Sequence, residues 1–151
     1  WGSAFPTSTV FGFTSGQICN VDKDCIAYCF APSQFISIGS YEGNGNADGT
    51  FVPTLNSLGV PIQPVWNLIK NIDSAESWNL QDWARHPYNE VDISLFPNST
   101  ATDTAGYDKD FVSGGLKMRT TSAGVNASNT YVYMAIGTPI IDTDGRIIAG
   151  R

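Results

Sequence analysis

The chain is dominated by short stretches in which apolar and polar residues alternate. Clear examples are residues 35–41 (FISIGSY), 64–70 (PVWNLIK) and 130–137 (TYVYMAIG), all rich in aromatic and β-branched side chains. Side chains of a strand point alternately to the two faces of a sheet, so this pattern is typical of half-buried strands. No stretch keeps the 3.6-residue apolar period of an amphipathic helix over three turns. The pattern therefore predicts an all-β chain.

Two pairs of these stretches are joined by short polar links, which predicts hairpins. Residues 64–70 run through NIDSAES into residues 78–84 (WNLQDWA). Residues 114–122 (GGLKMRTTS) run through AGVNASN into residues 130–137. Antiparallel pairing is therefore predicted within each pair.

Three further stretches complete the predicted strands. Residues 51–55 (FVPTL) contain Pro53, which has no backbone N–H to donate and therefore favours an edge strand. Residues 25–30 (CIAYCF) form a short apolar run that predicts another strand. Residues 91–98 (VDISLFPN) fit either a strand or a single helical turn.

Two distant segments share one arrangement of residues. Residues 14–32 and 120–138 each contain a Thr, a turn of small residues, an Asn and an aromatic-rich stretch, at an offset of 106 positions. Self-similarity at a fixed offset indicates a repeated unit. The repeat predicts that residues 1–34 are either the closing hairpin of a preceding unit or N-terminal strands. It also predicts that 35–138 form one β-sandwich domain and that 139–151 are a C-terminal extension.

Composition excludes several classes of function. Charged residues make up only 15% of the chain and the formal net charge is −6. The absence of a basic cluster argues against nucleic-acid binding, which requires Lys and Arg against phosphates. No apolar run approaches the roughly 20 residues of a membrane-spanning helix. The chain opens on Trp1 without the charged start of a signal peptide, which predicts a fragment or a processed product.

The stretch YEGNGNADGTF, residues 41–51, has features of both a calcium loop and a turn. Asn44, Asn46 and Asp48 occupy alternate positions as calcium ligands do, but the position of the bidentate Glu is Leu55. Asn-Gly and Asp-Gly are strong turn signals because both residue types tolerate positive φ. The turn is the favoured interpretation, and no cofactor is predicted beyond this calcium alternative.

Three cysteines, Cys19, Cys25 and Cys29, fall close together. Their spacing matches no familiar zinc motif and lacks a fourth ligand nearby. Small buried thiols in a strand are the favoured interpretation, while a Cys19–Cys25 disulfide across a hairpin stays open.

Aromatic and polar side chains cluster after residue 77. Aromatic faces bordered by polar groups suit sugar binding, because sugar C–H faces stack on rings and hydroxyls take polar partners. By alternation Trp83 shares a face with Asn79 and Gln81, so it is predicted to be the exposed tryptophan. Core or interface packing of these rings is the competing interpretation. The candidate ligand-binding residues are Trp78, Trp83, Arg85 and Tyr88.

Enzyme signatures are absent from the chain. It contains no nucleophile elbow, zinc-protease motif, phosphate-binding loop or dinucleotide fingerprint. His86 is the single histidine, so a Ser–His–Asp triad would have to form around it in the fold. The mixed-charge runs DKD at 22–24 and 108–110 are predicted to be solvated turns. The chain is therefore predicted not to be an enzyme.

The order of several stretches resembles a domain that is repeated in tail-fibre-like and other structural proteins of tailed bacteriophages. The residues that carry the resemblance are GSYEGNGNADGTFV, PVWNLIKNIDSAESWNLQDWARHPYN, LFPNSTA and YDKDFVSGGLKMRTTSAGVNASNTYVYMAIG. The resemblance spans nearly the whole chain. It implies an antiparallel β-sandwich of the lectin-like, jelly-roll sort, without an established catalytic site.

The resemblance also implies a place and partners for the domain. It implies a virion structural protein (fibre, spike or surface decoration) in an extracellular appendage of the particle. Such proteins assemble as homo-oligomers, commonly homotrimers, and dock onto other virion proteins. The alternative is a receptor-binding, lectin-like module for host recognition that grips a glycan of the bacterial surface.

Overall fold

The computed structural model describes Thr7, Thr9, residues 27–141, Asp144 and Gly145. The chain divides into two compact units, Trp1–Phe30 and Ala31–Arg151. Most of the hairpin predicted for the preceding repeat lies outside the described residues, as do Cys19 and Cys25. Of the strand predicted at residues 25–30, the described part is not in a strand, and Cys29 there is an exposed free thiol.

The second unit consists of two antiparallel sheets. The first sheet has the strand order β1-β7-β3-β4 and the second has the order β2-β6-β5. No described residue belongs to a helix long and apolar enough to span a membrane. The predicted all-β, antiparallel β-sandwich is therefore confirmed. The strands are β1 (Ile36–Glu42), β2 (Phe51–Pro53), β3 (Ile62–Asn71), β4 (Asn79–Asp82), β5 (Lys109–Val112), β6 (Gly115–Met118) and β7 (Thr130–Pro139).

One predicted hairpin is confirmed and the other is wrong. β3 and β4 pair antiparallel in adjacent positions of the first sheet, and β2 is an edge strand, as Pro53 predicts. β6 and β7 lie in different sheets, because the link between them is not a solvated turn. Its residues Val125 and Asn126 are fully buried, and the link carries the chain from one layer to the other.

A bulge in β3 changes which of its side chains enter the core. The pairing of β3 with β7 shifts register between Pro64 and Trp66. Asn67 and Ile69 share the inner face, as the alternation predicts, but Val65 on the other side of the bulge is exposed. An extra residue inverts the alternation on one side of a bulge, so Val65 leaves the face that the sequence pattern assigns to it.

Three tyrosines of the first sheet connect it to the opposite layer. Tyr41 and Tyr131 are paired across β1 and β7, and their rings stack with centroids 5.0 Å apart. Both donate hydrogen bonds, of 2.6 and 2.9 Å, to carbonyl oxygens of the link between β6 and β7. Tyr133 donates a hydrogen bond of 2.9 Å to the carbonyl oxygen of Pro53 in β2. The rings supply apolar area, and the hydroxyls fix how the two layers lie against each other.

We expect Tyr133→Phe to lower the free energy of unfolding by about 1 kcal/mol, because it removes this hydrogen bond between layers while keeping the ring. Urea denaturation followed by tyrosine and tryptophan fluorescence measures the change. Tyr88→Phe is the matched control, since Tyr88 is 77% exposed. Equal stability of both variants and the wild type would show that the Tyr133 hydroxyl contributes nothing to the pairing of the layers.

Candidate functional site

The loop after β4 presents an aromatic surface. Trp83 follows the last residue of β4, and its ring stacks on that of Phe111 in β5 with centroids 6.3 Å apart and an interplanar angle of 24°. The Trp83 side chain remains 37% exposed. Asp82 fixes the turn, because its carboxylate accepts hydrogen bonds from the backbone N–H of Arg85 at 2.8 Å and from its Nε at 3.1 Å. The loop therefore holds a partly exposed indole and, two residues later, a guanidinium anchored on Asp82.

The residues after Arg85 are hydrogen-bonded to β5, the strand on whose Phe111 the Trp83 ring stacks. Asn89 holds the backbone of Phe111 by two hydrogen bonds, donating to its carbonyl oxygen at 3.1 Å and accepting from its N–H at 3.0 Å. His86 Nδ1 lies 3.1 Å from a carboxylate oxygen of Asp92. Tyr88 projects from this anchored segment and is largely exposed. A surface aromatic on an anchored loop can contact a ligand without first having to be ordered.

Trp78 lies apart from the other predicted ligand-binding residues. It precedes β4 and Trp83 follows it, so their backbones are about 16 Å apart along the strand at roughly 3.3 Å per residue. The backbone N–H of Trp78 donates a hydrogen bond of 2.9 Å to Oδ1 of Asn98. The structure therefore places Trp83, Arg85 and Tyr88 on one loop and leaves Trp78 at the opposite end of the strand.

The predicted orientation of β4 is wrong. Asn79 and Gln81 were expected on the solvent face with Trp83, but both are fully buried and point between the sheets. The exposure of Trp83 instead comes from its position in the turn beyond the strand. The inner face can hold these amides because polar groups from the opposite layer provide hydrogen-bond partners for them.

A cluster of polar side chains fills one end of the space between the sheets. Lys109 of β5 donates a hydrogen bond from Nζ to Oδ1 of Asn79 at 2.9 Å, and its Nζ lies 3.5 Å from Oδ1 of Asn67. Asn79 in turn donates from Nδ2 to Oγ of Ser94 at 2.8 Å. All four residues are fully buried. Three strands from two sheets thus converge on one amine.

This cluster overturns the prediction that residues 108–110 form a solvated turn. Lys109 is fully buried and Asp110 nearly so. Asp110 points to the outer side of β5, where its carboxylate lies 2.6 Å from Nε of Arg119. The sequence did contain a signal for the burial of Lys109. Side chains two positions apart in a strand lie on the same face, so Lys109 must share the face of the core residue Phe111.

Two buried amide atoms on the inner face of β3 and β4 have no hydrogen-bond partner among the described residues. They are Nδ2 of Asn67 and Oε1 of Gln81. Burial lowers the pKa of Lys109 from its ordinary 10.5 to about 7, partly offset by the charge of Asp108. Desolvation disfavours the ammonium form, so a substantial fraction of the Lys109 side chain is an uncharged amine at neutral pH.

The candidate calcium loop is folded by its own side chains. Asn44 Oδ1 accepts the backbone N–H of Asn46 at 3.0 Å, and Asn46 Oδ1 accepts that of Asp48 at 3.0 Å. One carboxylate oxygen of Asp48 lies 2.8 Å from Nζ of Lys117. That hydrogen bond lowers the pKa of the Asp48 carboxyl. Within the part of the chain that the structure describes, no three His, Cys, Asp or Glu residues group as metal ligands.

Asn126 closes this loop against the body of the domain. Its Nδ2 lies 2.8 Å from the carbonyl oxygens of both Thr120 and Asn46 and 3.1 Å from Oδ1 of Asn44. Its Oδ1 accepts the backbone N–H groups of Asn44 and Thr50 at 3.3 and 3.4 Å. One buried amide therefore organises the turn that the sequence pattern shares with a calcium loop.

The outer faces of the two sheets differ in chemistry. In the first sheet one row of apolar residues crosses all four strands in register, and a second row lies beside it. In the second sheet the outer face carries Asp110, Lys117 and Arg119, which form ion pairs with one another or with Asp48. The first row is Ile38, Met134, Leu68 and Leu80, and the second is Ile36, Ile136 and Trp66.

We expect Asn126→Ala to lower the free energy of unfolding by about 2–3 kcal/mol, because it leaves several buried backbone groups of the loop without partners. Thermal unfolding measures the change. Asn98→Ala is the control, because it removes hydrogen bonds of an exposed loop and is expected to cost less than the loss of the buried ones.

If the loop is a turn, the melting temperature of the wild type is the same in excess calcium and in chelator. A rise of the melting temperature in calcium would contradict the turn interpretation.

Comparisons with known proteins identify a family. The profile of the domain of unknown function DUF7483 matches residues 1–138. No curated protein and no solved structure matches the chain significantly. Because the match covers most of the sequence, the chain belongs to the DUF7483 family.

Proposed function

We propose that this chain is a non-enzymatic structural subunit of a bacteriophage particle, assembling as a homo-oligomer, commonly a trimer, in a fibre, spike or surface decoration. The sequence resemblance to repeated domains of phage structural proteins supports the virion setting and the docking to other virion proteins. The observation that carries the assembly is the apolar outer face of the first sheet. The location proposed for the subunit is an extracellular surface appendage of the particle.

The outer face of the first sheet has the character of a contact surface. Ile38 on the edge strand is 38% exposed, Leu68 and Leu80 in the same row are partly exposed, and Met134 between them is 9% exposed. The described strands of the second sheet all pack on the opposite face, where the core cluster lies. A contiguous apolar surface on a sheet is stabilised when a partner removes it from water. A second copy of this chain offers the same apolar surface as a partner.

The charge distribution agrees with this orientation. The ion pairs of Lys117 and Arg119 lie on the outer face of the second sheet. The chain as a whole carries a formal charge of −6. Charged groups are disfavoured at the centre of an interface and favoured where a surface meets solvent. In the assembly we propose, the first sheet faces the neighbouring subunits and the second sheet faces the medium.

We expect Ile38→Asp to shift the chain from oligomer to monomer, with at least a tenfold weaker self-association, because the new carboxylate would be buried at the contact. Light scattering coupled to size-exclusion chromatography over a range of concentrations measures the molar mass. Leu58→Asp is the matched control, since Leu58 is 70% exposed in the loop between β2 and β3. That variant is expected to retain the mass of the wild type.

A wild-type chain that stays monomeric at every concentration would overturn the proposal. So would equal dissociation by both substitutions, because the contact would then not lie on the first sheet. Circular dichroism of the variants checks that each keeps its β-sheet content.

The second candidate function is recognition of a glycan on the bacterial surface, and the loop after β4 favours it. Trp83 presents a half-exposed ring that is backed by Phe111. In the same turn Arg85 and Asp82 form a hydrogen-bonded charge pair. An aromatic face with polar groups at its edge can stack on a sugar and bind its hydroxyls. A fibre subunit can carry both functions, because the loop and the apolar rows use different residues.

We expect Trp83→Ala to reduce binding to host cells or to a glycan array at least tenfold, because the stacking face is lost. Trp78→Ala is the matched control, since Trp78 is equally exposed, at 38%, but lies at the other end of β4. Equal binding by both variants and the wild type, or binding by none, would leave only the structural function.

A further inference from the structure

The buried Lys109 amine meets the chemical requirements of a nucleophile. It is enclosed between the sheets and touches two side-chain amides, those of Asn79 and Asn67. The low pKa caused by burial leaves a large fraction of the amine uncharged at neutral pH. A lysine amine that is desolvated in this way can attack a carbonyl carbon held beside it. Such proximity replaces a collision in solution and raises the effective concentration of the amine greatly.

We propose that Lys109 and Asn79 form an intramolecular isopeptide bond, which covalently joins β5 of one sheet to β4 of the other. Asn79 is the partner because its Oδ1 lies 2.9 Å from Nζ of Lys109, against 3.5 Å for Oδ1 of Asn67. Nδ2 of Asn79, which leaves in the reaction, also donates a hydrogen bond of 2.8 Å to Oγ of Ser94, and this hydroxyl can assist its departure.

The step needs no further reagent. The amine moves from Oδ1 to the face of the Asn79 carbonyl group, where the lone pair of the uncharged Nζ attacks Cγ and forms the new C–N bond. The bond from Cγ to Nδ2 then breaks. The proton that Nζ loses passes to Nδ2, either directly or through the Ser94 hydroxyl, and one molecule of ammonia leaves. No atom is oxidised or reduced.

The reaction depends on folding, because residues 79 and 109 come together only when the sheets pack. The unfolded chain therefore keeps its amine, and the cross-link forms after the domain has folded. This inference does not rest on the virion assignment, and its failure would leave the assembly and the glycan surface as they stand.

Mass spectrometry of the full chain tests the proposal. After folding and incubation at pH 8, the denatured wild type is expected to be lighter than its sequence by one ammonia. Trypsin is expected to release a branched product in which residues 71–85 are joined to residues 86–117 through an uncleaved Lys109. The rate of ammonia loss is expected to rise with pH through about 7 and then level off, as the amine loses its proton.

Three variants locate the bond. Lys109→Met and Asn79→Ala are expected to carry the full mass of their sequences, and Asn67→Ala is expected to lose ammonia as the wild type does. Ser94→Ala is expected to react more slowly. The wild-type measurement is decisive by itself, so the test stands even where a variant fails to fold.

Several results would overturn the inference. One is a folded wild type that retains its full mass after prolonged incubation. Another is a loss of ammonia without the branched peptide, which would indicate a succinimide at the Asn44–Gly45 step. A branch from Lys109 to Asn67 would refute the assignment of Asn79.

Discussion

The sandwich depends on polar groups of one layer finding partners in the other. Tyr41, Tyr131 and Tyr133 project from the first sheet, and their hydroxyls donate to backbone carbonyl oxygens of the link between the sheets or of β2. At the other end of the interface the Lys109 amine lies against Asn79 of the first sheet. A buried donor without a partner costs more than the bond itself contributes, so these contacts allow few relative positions of the two sheets.

A polar interior has a consequence for the outside of the same sheet. Side chains of a strand alternate between faces, so placing Asn67 and Asn79 inside puts Leu68 and Leu80 outside. An ordinary sandwich strand does the reverse, with apolar residues inside and polar ones in water. The apolar rows of the outer face and the buried amides therefore have one cause, which is the face of β3 and β4 that points into the sandwich. A sequence that selects this orientation needs a use for its outer face, and self-association is such a use.

The same choice explains which features could be predicted from the sequence. Alternation locates strands and predicted the pairing of β3 with β4, because period and turn chemistry are local. It does not say which face is buried, so the polar set of Asn79 and Gln81 was assigned to solvent. The separation of β6 from β7 was also missed, because it depends on burial of Val125 and Asn126 in the link. Trp83 was predicted inside a strand over residues 78–84, whereas β4 ends at Asp82 and Trp83 lies in the turn after it. The Lys109 cluster was missed because it requires residues from three strands to meet.

The apolar outer face and the buried cluster together affect how the domain would carry a mechanical load. Contacts made through the outer face of the first sheet would transmit any load on the assembly to that sheet alone. The load would then act on the interface between the layers, whose polar contacts include the Tyr133 hydrogen bond and the Lys109–Asn79 contact. Hydrogen bonds between layers contribute only about 1 kcal/mol each and exchange readily with water once opened. A covalent bond at Lys109 would not exchange with water in this way. A subunit that is held by one sheet and exposed to the medium by the other therefore gains most from a permanent link between the two.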